Sequence, residues 1–210
     1  AMVEKTTDLP QGDVQKTPRL SKSKYISGLQ CHKRLYLDIY QPYLATPPDA
    51  GTQAILDMGT EVGELARRRF HGGRLVTAGY RQTEAALAQT EALMADESVP
   101  AIYEAAIMAD GVLIRVDILE RVRAEDGAPA GWRLIEVKSS TKVKDVHLDD
   151  LALQRHVLAG AGLNIVSCHL MRINTAYTYA GGEVNLTELF AIEELSSIVL
   201  ERQVTVPDRI

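Results

Sequence analysis

The stretch from Pro100 to Ile173 constrains this chain most, because there the hydrophobic period changes from helical to extended. Ile102–Ala109 and Val112–Glu120 are apolar runs of strand length joined by Asp110-Gly111. That dipeptide suits a two-residue hairpin turn, since both of its residues tolerate positive φ. Trp132–Lys138 reads as a third strand, Asp145–Gly160 as a helix and Asn164–Ile173 as a further strand. Helices, three strands, a helix and a strand predict an α/β (α+β) fold with a central mixed sheet flanked by helices.

The remainder is built around that core. Residues 1–19 are polar, with Pro10, Gly12 and Pro18, and read as a flexible tail. Residues 20–210 suit a single domain: mainly helical over 20–98, the sheet core over 99–180, and a closing segment over 181–210. Ser21 and Ser23 are candidate N-caps of a helical stretch reaching Tyr40, with Gly28 as the expected break. Pro42, Pro47, Pro48 and Gly51 mark a loop. Thr52–Phe70 reads as a helix stopped by Gly72-Gly73, Leu75–Ala78 as a short strand and Thr83–Ala95 as a helix. Ala124–Gly131 reads as a loop, Ala176–Tyr179 as an extension of the sheet and Leu186–Arg202 as one closing helix.

Charge is segregated along the chain. The net charge is −5, from 23 basic and 28 acidic residues, which argues against a purely electrostatic nucleic-acid binder. Yet Val14–Leu37 holds no acid and six basic residues, and Leu65–Thr83 holds no acid and five arginines. Without those eleven, 12 basic residues face 28 acidic ones. No apolar run approaches the roughly 18–20 residues of a membrane span. The first residues lack an apolar signal region, and two cysteines make no disulfide framework, so the expected setting is reducing and cytoplasmic.

Two strands carry the candidate chemistry. In Val112–Leu119, alternation predicts Val112, Ile114, Val116 and Ile118 on one face and Leu113, Arg115, Asp117 and Leu119 on the other. In Trp132–Lys138, Glu136 and Lys138 point the same way. If these strands are neighbours, Asp117, Glu136 and Lys138 converge. Two carboxylates form a hard oxygen site for Mg²⁺ or Mn²⁺, and the adjacent ammonium can hold a water or stabilise charge on a phosphate. The alternative is a surface ion pair on an edge strand, which contributes little.

With Gln154 in Leu151-Ala152-Leu153-Gln154, the series Asp117, Glu136-Val137-Lys138, Gln154 resembles the PD-(D/E)XK nuclease superfamily, specifically its RecB-like branch. Ser21-Lys22-Ser23-Lys24-Tyr25 followed by Cys31-His32-Lys33-Arg34-Leu35-Tyr36 is similar to the opening of RecB-like exonucleases, CRISPR-associated ones included. Gly59-Thr60-Glu61-Val62-Gly63-Glu64-Leu65 resembles the helix that follows. The resemblance covers about residues 20–175 in one order, and an uncharacterised bacterial RecB-like family is its nearest match. It implies a restriction-endonuclease-like core in which Asp117, Glu136 and the main-chain carbonyl of Val137 bind the metal, Lys138 assists the attacking water and Gln154 orients the site or substrate.

The chain departs from that pattern twice. Where many members carry a metal-binding histidine it has Gly63, and Glu64 (or Glu61) is the substitute the sequence offers. Iron–sulfur members use four cysteines, whereas this chain has only Cys31 and Cys168, so no such cluster is expected. Cys31 reads instead as a small buried helical residue. Tyr36 and Tyr40, at helical spacing, read as core residues rather than base-stacking platforms. Lys22, Lys24, Lys33 and Arg34 are the expected phosphate contacts of an entry groove. The expectation is a Mg²⁺- or Mn²⁺-dependent nuclease acting on DNA, at single strands or ends. The alternatives are a catalytically degenerate binding module of the same fold and a fragment of a larger iron–sulfur nuclease.

Overall fold

Asp110 and Gly111 take φ of 50° and 74° and close the predicted hairpin. The computed structural model describes residues 19–124 and 130–210. The predicted tail, apart from Arg19, and most of the 124–131 loop lie outside the described residues. In chain order the elements are β1 (Leu20–Ser21), α1 (Lys22–Gln30), α2 (His32–Tyr40), α3 (Ala50–Arg67), β2 (Arg74–Leu75), α4 (Thr83–Ala95), β3 (Ala101–Ala109) and β4 (Val112–Val122). They continue with β5 (Gly131–Lys138), α5 (Asp145–Gly160), β6 (Ile165–Ile173), α6 (Leu186–Leu189), β7 (Phe190–Glu194) and α7 (Ser196–Gln203).

The result is an α/β fold: a mixed seven-stranded sheet of order β2-β3-β4-β5-β6-β7, with β1 added against β4, flanked by helices. β3, β4 and β5 run antiparallel in succession, α5 carries the chain across to β6 parallel to β5, and β7 turns back antiparallel. The larger core joins one face of the sheet to α1, α4, α5 and α7 through Tyr25, Ala86, Leu134, Leu151, Leu153, Leu158 and Val199. A smaller core joins the other face to α3 through Val62, Ala66, Ile118, Ile135 and Met171. Consecutive residues Leu134 and Ile135 serve opposite cores, as a pleated strand requires.

On β4 that alternation fails at Asp117. Val112, Ile114 and Val116 enter the larger core, Ile118 enters the smaller one and Leu119 returns to the larger. The predicted single face of Val112, Ile114, Val116 and Ile118 is therefore split. The ladder between β3 and β4 omits the facing pair Glu104 and Asp117, and Glu104 sits at φ 55°, a region that β-carbons make costly outside glycine. Both strands turn over at this pair, which frees Asp117 from the regular pleat.

The free edge of β4 is shared. β5 pairs with it only over Ile118–Val122, and β1 only at Val112 and Leu113. Between these lies a fork, and Asp117 stands at its apex. β1 ends beside the fork, and Ser21, whose hydroxyl accepts the Lys24 amide at 3.4 Å, starts α1 there. Lys22 is therefore delivered into the opening.

Several local expectations are corrected. The break between α1 and α2 falls at Cys31, which is extended, and not at Gly28. Gly28 stays helical within α1, and a β-carbon there would meet Leu35 Cδ2 at 3.0 Å where α2 folds back. The closing helix is interrupted: Phe190–Glu194 forms strand β7 against β6, with Phe190 buried. Residues 176–179 form no strand, and the short strand expected at 75–78 is confined to Arg74–Leu75. Cys31, Tyr36 and Tyr40 are exposed rather than core, and the two tyrosine rings pack against each other at a tilt of 40° with centroids 4.9 Å apart.

Candidate active site

Asp117 Oδ2 accepts the Val137 amide at 2.7 Å. The strands have parted there, so the side chain takes the place of the ladder carbonyl that β5 has lost. On its other side Asp117 lines a cavity of about 650 Å³, together with Thr60, Gly63 and Arg67 of α3, the 75–80 segment, Glu104, Arg115 and Val137. Arg67 pairs with Glu104 at 2.7 Å, and Arg115 donates to the carbonyls of Ala78 and Gly79 with its guanidinium over the Tyr80 ring.

Glu136 faces the α5 side of the fork and is 1% exposed. Its Oε1 accepts Lys138 Nζ at 2.5 Å and Lys22 Nζ at 3.2 Å. Its Oε2 accepts Lys22 Nζ at 3.1 Å and Gln154 Nε2 at 2.7 Å. Gln154, fully buried on α5, also donates to Asp150 Oδ1 at 2.9 Å, while its own Oε1 has no partner. Asp150 Oδ2 accepts Lys138 Nζ at 3.0 Å, and Lys22 stands 3.8 Å from Asp150 Oδ1.

Two carboxylates and two ammoniums thus share one buried cluster, Asp117 stands near enough to feel its charges, and the proton affinities diverge. Burial works against the charge on Glu136, but Lys22 and Lys138 outweigh it and hold its carboxyl well below the ordinary range. Burial works against the charge of both lysines too, and Glu136 and Asp150 more than offset it, so both stay protonated. Asp117 is pushed up to about 7, first by burial and then by the Glu136 charge. Asp150 is raised for the same two reasons. One acid firmly ionised beside another poised near neutrality is the arrangement expected where a cation or a proton is handled.

Asp117, Glu136, Lys138 and Gln154 are brought together from β4, β5 and α5. Lys22, expected on a phosphate-contacting surface, is instead in the cluster. Lys24 lies part-buried on α1, and Lys33 and Arg34 are exposed on α2, where Arg34 bonds Gln30 and faces Asp38 at 3.9 Å. Glu64 is exposed on α3 and lies outside the cavity lining, which Gly59, Gly63 and Arg67 supply from an adjoining stripe of the helix. Among the described residues no group of three His, Cys, Asp or Glu side chains is spaced to hold a metal ion. Asp150 escaped sequence reasoning because Asp149-Asp150 reads as a solvated helix face. Its signal was its place four residues before Gln154, on the same side of the helix.

No helix among the described residues is long and apolar enough to cross a membrane. No family model and no curated protein matches this chain. The crystal structure of SSO0001 is similar to it over 92% of this chain and 79% of that one, at 15% identity and a TM-score of 0.34.

Proposed function

We propose that this protein is a metal-dependent nuclease that hydrolyses DNA phosphodiester bonds, with Asp117, Glu136, Lys138 and Gln154 as its working residues. One observation carries the reading: Lys138 on β5 and Gln154 on α5 both bond the buried Glu136 carboxylate, and Asp117 on β4 lies near enough for the Glu136 charge to act on it. Asp117 and Glu136, with the main-chain carbonyl of Val137, would hold the ion. An all-oxygen donor set suits Mg²⁺ or Mn²⁺. Burial and the Glu136 charge both oppose the ionised Asp117 carboxylate, and a bound cation would relieve that opposition. When bound, the metal stabilises charge on the phosphate oxygens and eases ionisation of water.

The protein's groups do the rest. Lys138, anchored by Glu136 and Asp150, orients the attacking water and stabilises negative charge building on the phosphate. Gln154 fixes the Glu136 carboxylate from behind. The cavity beside Asp117 admits the backbone, with Lys24, Lys33 and Arg34 as more distant phosphate contacts. Single strands or ends are the proposed substrates, in a cytoplasmic setting.

The test is cleavage of labelled single-stranded and duplex DNA with Mg²⁺ or Mn²⁺, and with chelator. Cleavage that needs the metal and disappears in Asp117→Ala, Glu136→Ala and Lys138→Ala is expected. Continued cleavage by a folded Glu136→Ala protein sinks the reading. Salt-dependent DNA binding without metal-linked turnover would mark a degenerate binding module instead.

A further inference from the structure

A carboxylate offers about four lone-pair directions. All those of Glu136 are taken: Lys138 and Lys22 on Oε1, Lys22 and Gln154 on Oε2. A metal ion can reach Glu136 only if one donor leaves. Gln154 is fully buried on α5 and tied to Asp150 as well. Lys138 lies two residues along the same strand, makes the shortest contact, and is held by Asp150 at 3.0 Å. Lys22 makes the two longest contacts, at 3.1 and 3.2 Å, straddles both oxygens, and is 3.8 Å from Asp150. It also opens α1 directly after β1, which pairs with β4 through only two residues.

We infer that Lys22 is a built-in competitor of the metal: its ammonium occupies the cation position at Glu136 and is exchanged for the divalent ion when the site loads. The inference rests on the metal-site reading above and deepens it. Charge supports the exchange. Once an incoming metal has displaced any proton from Asp117 and Asp150, these two and Glu136 stand against Lys22 and Lys138, so withdrawing one ammonium leaves two excess negative charges, which match a divalent ion. With Lys22 in place only one is left over. Together with Lys138, the lysine offsets the charge of the buried carboxylate when no metal is bound, and it sets a threshold for loading.

The test is Mn²⁺ titration of the full chain by calorimetry, comparing wild type, Lys22→Met, Lys22→Arg and Glu136→Gln. Lys22→Met is expected to bind Mn²⁺ at least about tenfold more tightly than wild type, about 1.4 kcal/mol. Lys22→Arg, which keeps the charge, should not gain affinity, and Glu136→Gln should lose binding. In parallel, amine labelling read by mass spectrometry should show Lys22 becoming more reactive on Mg²⁺ addition while Lys138 does not. Equal or weaker Mn²⁺ binding by Lys22→Met, with Glu136→Gln still defective, overturns the competitor role and leaves the metal site standing. No Mn²⁺ binding by wild type or Lys22→Met overturns the metal-site reading itself, and the competitor role with it. If Lys22→Met fails to fold, the labelling arm on wild type decides, and an unchanged Lys22 reactivity refutes the exchange.

Discussion

Removing the charge of Asp117 should make the metal-free protein more stable, although it removes a residue proposed to be essential. Asp117→Asn keeps an oxygen that can accept the Val137 amide, now bonded at 2.7 Å, and deletes a negative charge that burial and Glu136 both oppose. Each unit of displaced pKa corresponds to about 1.4 kcal/mol. The rise from 3.8 to about 7 therefore corresponds to on the order of 4 kcal/mol of penalty for the ionised form. A neutral amide accepts more weakly than a carboxylate and gives back about 1 kcal/mol. A net gain on the order of 3 kcal/mol is expected at pH 8 in chelator. The sign follows from proton binding. Between about pH 4 and 7 the folded state holds a proton on Asp117 that the unfolded chain has lost, so this group makes wild-type stability fall as pH rises through that window. Below pH 4 both states are protonated and the difference between variant and wild type should close. Urea denaturation of both proteins from pH 3.5 to 8 measures it. A variant that is less stable at pH 8, or a difference independent of pH, refutes the account of the buried cluster.

Two further outcomes test the fold around the site. Cys31 is exposed, whereas Cys168 is fully buried and burial pushes its thiol up to about 11, so a thiol reagent at pH 7.5 should modify Cys31 quickly and Cys168 only on unfolding. Two fast thiols would contradict the placement of β6. Gly73→Ala would bring a β-carbon to 2.1 Å from the Tyr103 hydroxyl, which donates to the Arg67 and Phe70 carbonyls at the end of α3. A loss of about 1–3 kcal/mol is expected by calorimetry, and a wild-type melting temperature would show that α3 is not pinned there.

Much of the sheet core was legible in the sequence because its signals are local. Asp110-Gly111 specifies its turn by backbone conformation alone, and the apolar alternation around it needs no partner to be recognised. Glu136 and Lys138 could be placed on one face by counting residues. What escaped depends on residues distant in sequence. Lys22 meets Glu136 across 114 positions, so an acid-free basic window suggested a surface where the fold makes a counter-ion. The turnover at Asp117 needs Glu104 on the neighbouring strand, and nothing in Val112–Leu119 announces it. Leu186–Arg202 has helical composition, but the open edge of β6 recruits Phe190–Glu194 into the sheet, so tertiary pairing overrides local preference. Tyr36 and Tyr40 have core-like spacing, yet α2 contributes no buried residue.

The central claim is that Asp117 and Glu136 serve one ion although they approach the fork from opposite sides. Crystals soaked in Mn²⁺ and measured at its anomalous edge test it directly. The account predicts one strong peak coordinated by carboxylate oxygens of both residues, with the Lys22 ammonium withdrawn from Glu136. No peak in the fork, or a peak held by only one of the two carboxylates, contradicts it.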